Sequence, residues 1–169
     1  MKQFKTLLFA AALFIGATSF TQAQSKVAHI NTQDLIKSMP EMNTAQAEMD
    51  KLGKTYEADI QSMVTEYQNK MKQYEAESGT KTDEENQKRI AEVQTMQQNI
   101  QQYQGQAQQE MQKKEVDLLK PITEKAKSAI LKVARAQGFD YVLDSTQGGG
   151  VIMADGKNLL DDVKKELGI

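Results

Sequence analysis

Between Glu41 and Gln137 the apolar positions recur with a helical period. Along the first part they fall at Met42, Ala45, Met49, Leu52, Tyr56, Ile60, Met63, Tyr67, Met71 and Tyr74. That is 32 residues in nine steps, about 3.56 per step, between a straight helix and a coiled-coil seam. A second stripe runs through Ile90, Val93, Met96, Ile100, Tyr103, Ala107 and Met111, then Leu118, Ile122, Ala129 and Val133. Each stripe is too narrow for a globular core and suits one partner helix. Ser78-Gly79-Thr80 breaks the pattern, and a break this short predicts two antiparallel neighbours.

Punctuation residues set the predicted ends. Ser38-Met39-Pro40-Glu41 reads as a capping box that starts the first arm, with Ser38 as the cap. Thr82-Asp83-Glu84-Glu85 reads as a second one. Gly53 and Gly105 are weak points, and Pro121 predicts a kink where the return arm enters the rest of the protein. Gly138 suits a left-handed helix end.

Outside the arms the period shortens. Lys26 to Ile30 alternates as a strand with Val27, and with it His29, on one face. A short helix through Leu35 and Ile36 follows, capped by Asn31 or Thr32. Phe139 to Asp144 and Val151 to Ala154 read as two strands of a hairpin turned at Gln147-Gly148-Gly149-Gly150. Asn158 caps a last helix with Leu159, Leu160, Val163 and Leu167 inward. The expected class is α+β: a long antiparallel helical hairpin on a small β-rich body. The arm takes residues 41–120, and the body takes 24–40 and 121–169. A body that small is marginal alone, which predicts a core shared between chains.

The first residues read as a secretory signal. Lys2 and Lys5 precede an apolar run from Leu7 to Ile15, and Thr21-Gln22-Ala23 is a cleavage site, so residues 1–23 are expected to be removed. The chain has no Cys, so an exported product relies on packing and assembly instead of disulfides. Without Lys2 and Lys5 there are 19 basic and 23 acidic residues, a net charge of −4. That balance argues against nucleic acid as a partner.

Candidate chemistry is sparse. Gly156-Lys157 invites a phosphate-loop reading, but the motif needs Gly where Val151 stands and Ser or Thr where Asn158 stands. No nucleotide and no cofactor is expected. His29 is the sole His, so with no Cys there is no transition-metal set. The carboxylates sit at helix-surface spacings, and no nucleophile has a base beside it. What stands out is Met along the arms, joined by Tyr, and a return arm rich in Gln. These residues build the seam between the arms, or some of them face a partner, and both can hold at once. Met adapts to irregular apolar surfaces, which suits promiscuous binding. The expected client-binding set is Met63, Tyr67, Met71, Tyr74, Met96 and Tyr103.

Two stretches carry a family likeness. Lys26-Val27-Ala28-His29-Ile30-Asn31 with Ser38-Met39-Pro40-Glu41 opens the pattern, and Gly138-Phe139-Asp140-Tyr141-Val142-Leu143-Asp144 through Val151 and the last helix closes it. With a signal peptide and this order of elements, the chain resembles the Skp/OmpH family of periplasmic chaperones. The resemblance implies a jellyfish-like homotrimer whose hairpins hang as tentacles and hold unfolded outer-membrane β-barrel proteins without ATP. It implies that Val27, Ile30, Tyr141, Val142, Leu143, Val151 and Ile152 build the oligomerisation body. It also implies the periplasm as the location. One departure stands out. Family members often have basic arms, whereas residues 41–120 here carry ten Lys/Arg and fifteen Asp/Glu, a net of −5. Attraction to anionic membranes or lipopolysaccharide is therefore not expected. The competing reading is a periplasmic coiled-coil adaptor for one defined partner, and an enzyme is disfavoured.

Overall fold

The computed structural model describes residues 25–169, so the expected signal peptide lies outside the described residues. The order of elements is β1 (Val27–Ile30), α1 (Thr32–Ser38), α2 (Pro40–Glu77), a tight 3₁₀ turn (Ser78–Thr80), α3 (Asp83–Ala136), β2 (Tyr141–Asp144), β3 (Lys157–Asn158) and α4 (Leu160–Leu167).

The two long helices form the expected hairpin. At 1.5 Å per residue α2 spans about 57 Å and α3 about 81 Å. The α3 start has the predicted reciprocal cap: Glu85 N–H donates to Thr82 Oγ1 at 3.2 Å, and Thr82 N–H donates to a Glu85 carboxylate oxygen at 3.3 Å. The α2 start differs from expectation. Ser38 ends α1, where its hydroxyl donates back to the Leu35 carbonyl at 2.7 Å. Met39, in extended conformation, is the residue before α2, and Pro40 begins it. Ser38 belongs to the preceding helix because Leu35 and Met39, both fully buried, anchor α1 against the core. A hydroxyl inside a helix end bonds the carbonyl one turn back. Helix α3 runs unbroken through Gly105 and Pro121. Buried Ile122 and Ala126 tie it to the body immediately beyond the proline.

The body differs more. The sheet has three strands in the order β2-β1-β3, and both pairings are parallel. The expected hairpin between Phe139–Asp144 and Val151–Ala154 does not form. Strand β1 takes the centre, pairing Val27 with Tyr141 and Ile30 with Asp144 on one side, and Ala28 with Lys157 on the other. A parallel neighbour of β1 must begin at the same end, so the chain leaving β2 has to run back past the sheet before β3. Residues 145–156 make that return. Its start is a compact turn: Gly149 N–H donates to the Thr146 carbonyl at 2.8 Å. A Cβ on Gly149 would stand 2.9 Å from that oxygen, and Gly148 and Gly150 have positive φ.

The strand faces of β1 follow the expected alternation, with Val27 and His29 sharing one face. Ala28 and Ile30 point to the core, and Val27 points out. The core joins them to Leu35, Met39, Ile122, Ala126, Ala129, Val133, Leu159 and Val163. Ala45, at the root of the arm, packs into the same cluster. Among the described residues no polar or charged side chain is buried. Helix α3 ends as expected: Gly138 has φ 72°, and Phe139 N–H reaches the Ala134 carbonyl at 3.0 Å. Leu159 and Val163 are the buried face of α4, and Asn158 Oδ1 accepts from Leu160 N–H at 2.9 Å.

Candidate functional site

The arm carries its cross-links in a fixed register. From the tip inward, Arg89 meets Glu77 at 2.6 Å and Tyr103 donates to Asp59 at 2.7 Å; further down, Lys114 meets Glu48 at 2.9 Å and Lys125 meets Glu41. Glu77 and Glu41 lie 36 residues apart, and so do Arg89 and Lys125. No insertion or slip separates the first tie from the last. Tyr74 donates to Glu92 at 2.6 Å beside the Lys70–Glu92 pair, and Tyr56 donates to Glu110. The Tyr56 and Tyr103 rings meet edge to face with centroids 6.0 Å apart.

These ties set the titration behaviour. The bond to Glu110 pushes the Tyr56 hydroxyl up to about 12, because ionising it would place two negative charges together. Bonds to Glu92 and Asp59 raise Tyr74 and Tyr103 in the same sense. Hydrogen bonds from Lys70 and Tyr74 hold Glu92 below the usual carboxylate range. Those from Gln73 and Arg89 do the same for Glu77.

Near the tip the two helices leave an apolar groove of about 510 Å³ between side chains of both. Tyr67, Met71, Tyr74, Ile90 and Val93 line it, with Gln94 and Gln97 on the polar margin. Met71 is 45% exposed and Ile90 59%, so both apolar side chains face solvent. The Arg89 guanidinium sits 4.5 Å from the Tyr74 ring centre. Its Nη1 is buried with no hydrogen-bond partner among the described residues, and the guanidinium's contact with the ring is a cation–π one. A second groove, about 470 Å³, lies near the arm root and is floored by Met42, Met49, Met111 and Leu118.

Of the six binding residues expected from the sequence, the structure gathers Tyr67, Met71 and Tyr74 in the tip groove. Met63 and Met96 are half-buried and line neither groove. Tyr103 is engaged with Asp59 and Tyr56. Ile90 and Val93 complete the tip groove, and sequence reasoning placed them only in the stripe. The signal that finds them is the hairpin register, which sets them opposite Tyr74 and Met71.

The body presents a second surface. The register puts Val27 beside Tyr141 and His29 beside Leu143 on the sheet face away from the core. Val27, Tyr141 and Leu143 are exposed there. His29 Nδ1 shares a 3.1 Å hydrogen bond with Ser145 Oγ. Of the other expected body residues, Ile30 is buried, Val142 and Val151 are half-buried, and Ile152 stands free on the return loop. At the end of β2, Asp144 accepts from Thr32 Oγ1 at 2.7 Å and from Thr146 Oγ1 at 2.6 Å. Burial pushes its pKa up, but these hydrogen bonds outweigh burial and leave it lowered. Among the described residues no cluster of His, Cys, Asp and Glu is arranged to hold a metal ion, and no helix is long and apolar enough to cross a membrane.

Comparison with known proteins fits this architecture. The family model for Outer membrane protein (OmpH-like) matches residues 26–167. The Chaperone protein Skp of Pectobacterium atrosepticum is 21% identical over 155 residues, covering 92% of this chain and 93% of that one. The crystal structure of an OmpH-like chain from Caulobacter crescentus CB15 superposes with a TM-score of 0.75 at 19% identity, covering 85% of this chain and 83% of that one.

Proposed function

The chain belongs to the Skp/OmpH family of chaperones, and from that premise we propose that it is an ATP-independent holdase for unfolded outer-membrane proteins in the periplasm. It binds and shields, and catalyses no reaction. The observation that carries this reading is the tip groove. Met71 and Ile90 stand half open on an arm that projects from the core, and the apolar area they leave exposed gains nothing for folding. A groove with Met and Tyr on its floor and Gln on its margin offers many weak contacts. Such contacts hold an unfolded chain without imposing one conformation on it.

Assembly is part of the proposal. The exposed apolar sheet face of Val27, Tyr141 and Leu143 supports a homotrimer in which three bodies cover one another's sheets. Ile30, Val142, Val151 and Ile152 then belong to the same body from inside or beside that face. The acidic arms are expected to leave anionic lipid unbound. The adaptor reading finds one point in its favour, the unbroken α3 with its slip-free register. A rigid arm with one defined partner would protect that partner alone.

The test is to dilute urea-unfolded β-barrel proteins of different sequence into buffer with and without the purified protein. A holdase lowers light scattering for all of them at modest excess. Unchanged scattering defeats the proposal, and protection of one barrel only favours the adaptor.

A further inference from the structure

The two grooves share one face of the arm. Residues 18 apart on an α-helix lie five full turns apart, at one azimuth and about 27 Å along the axis. Met49 and Tyr67, Gly53 and Met71, and Glu57 and Glu75 are such pairs on α2, and Met111 and Val93 are one on α3. In every pair one member lines the root groove and the other the tip groove. The carboxylates that tie the arms together, Glu41, Glu48, Asp59, Glu77, Glu92 and Glu110, line neither groove. The carboxylate halves of the ties therefore lie off an apolar track that recurs once along the arm, while Tyr74 and Arg89 reach the track's tip end from their own ties.

The charge on that track is not neutralised. Asp50, Glu57 and Glu115 rim the root groove, and Glu75 rims the tip groove. All four are exposed, and among the described residues none makes an ion pair. The cations beside them do not balance them. Lys54 stands alone at the root, and Arg89 at the tip is already paired with Glu77. A polypeptide segment laid along this face meets apolar floors bordered by carboxylates that have no cation partner.

We propose that this face selects client segments that are apolar and carry Lys or Arg, and turns away equally apolar segments that carry Asp or Glu. The inference rests on the holdase reading and adds to it a charge rule. The occupant is an unfolded chain because each floor is short and open, so successive stretches of a flexible polypeptide can use both. Attraction acts over roughly 8–10 Å at ordinary salt, enough to reach from a rim carboxylate to a side chain seated on the floor. Like charges placed there repel over the same range.

The full-length mature protein tests this with two fluorescein-labelled peptides of alternating Tyr, Leu and Gly, one flanked by Lys and one by Glu. Fluorescence anisotropy should show the Lys peptide binding about five-fold tighter in low salt, the size expected from two exposed charge contacts. The gap should close as salt rises. Glu57→Gln with Glu75→Gln should remove most of the preference. Glu66→Gln with Asp117→Asn, which changes net charge equally but lies outside both grooves, should leave it. Equal binding of the two peptides, or equal effects of the two double variants, overturns the charge rule. A sedimentation shift in the groove variant would show that a second copy's arm occupies the face, and overturns it too. The barrel-dilution assay on the same samples separates the readings. Suppressed scattering without charge preference leaves the holdase standing, whereas failure of both removes it.

Discussion

Ile90 separates holding from folding. Its side chain is 59% exposed in the tip groove, so folding buries less than half of it. Full burial of an Ile is worth about 2 kcal/mol. On that scale folding gains about 0.8 kcal/mol from Ile90, and a client covering it gains about 1.2 kcal/mol. Ile90→Gln gives up both, but Gln is the better helix former by a few tenths of a kcal/mol. The net loss of stability should be near 0.5 kcal/mol, hardly visible in a urea melt. The loss of client contact corresponds to about an eight-fold weaker affinity. Leu35→Ala is the opposite perturbation. Leu35 is fully buried in the core beneath α1, and its truncation should cost about 2–5 kcal/mol. It touches neither groove. Urea melts followed by circular dichroism report stability, and anisotropy of a labelled unfolded barrel reports affinity. The expected result is a crossed pattern: Ile90→Gln moves affinity and not the midpoint, and Leu35→Ala moves the midpoint and not the affinity of the folded protein. If Ile90→Gln lowers the midpoint in proportion to affinity, Ile90 is seam and the groove argument fails.

Other expectations follow from the ties and the sheet. Tyr56 should ionise near pH 12 by ultraviolet titration, two units above an ordinary phenol, and Tyr56→Phe should take one phenol out of the late part of the titration, leaving those of Tyr74 and Tyr103. Its folded pKa is raised, so the bond's contribution is present below about pH 10 and is lost as pH climbs toward 12; opening of the arm seam should follow that window by circular dichroism. Asp144 has the opposite sign: its lowered pKa means stability present above the ordinary Asp range and lost as pH falls through the folded value. Asp144→Ala should cost about 1 kcal/mol, after allowance for its exposure, and should flatten the acid limb of a pH–stability profile. Leu143→Lys on the open sheet face should shift sedimentation equilibrium toward monomer while leaving the circular dichroism of the chain intact; an unchanged mass would remove that face from the assembly.

Much of the arm was legible from residue order because its determinants are local. A stripe near 3.6 specifies a helix, Ser78-Gly79-Thr80 interrupts it, and Thr82 with Glu85 caps the return within one turn. Gly138 and the inner face of α4 were legible for the same reason. The body was not. Three glycines between two apolar runs suggest a hairpin, yet the partner of β2 is β1, more than a hundred residues away. Nothing local records which strand lies in the centre, and that choice also decides whether Val27 or Ala28 faces the core. The Ser38 cap misled because Ser-x-x-Glu describes a helix start equally well when the serine already belongs to the helix before it.

For the binding surface the division is similar. Residue types alone marked the arm as rich in Met and Tyr, and the charge count made it acidic. Tertiary structure decided which of those side chains meet. Antiparallel packing in one register brought Ile90 and Val93 to Met71 and Tyr74, drew Tyr103 into the seam, and placed the tie carboxylates outside the grooves where Glu57 and Glu75 remain unpaired. A helical period fixes the azimuth of each residue on its own helix. Which azimuths face each other depends on the crossing of two helices, and that is a property of their packing.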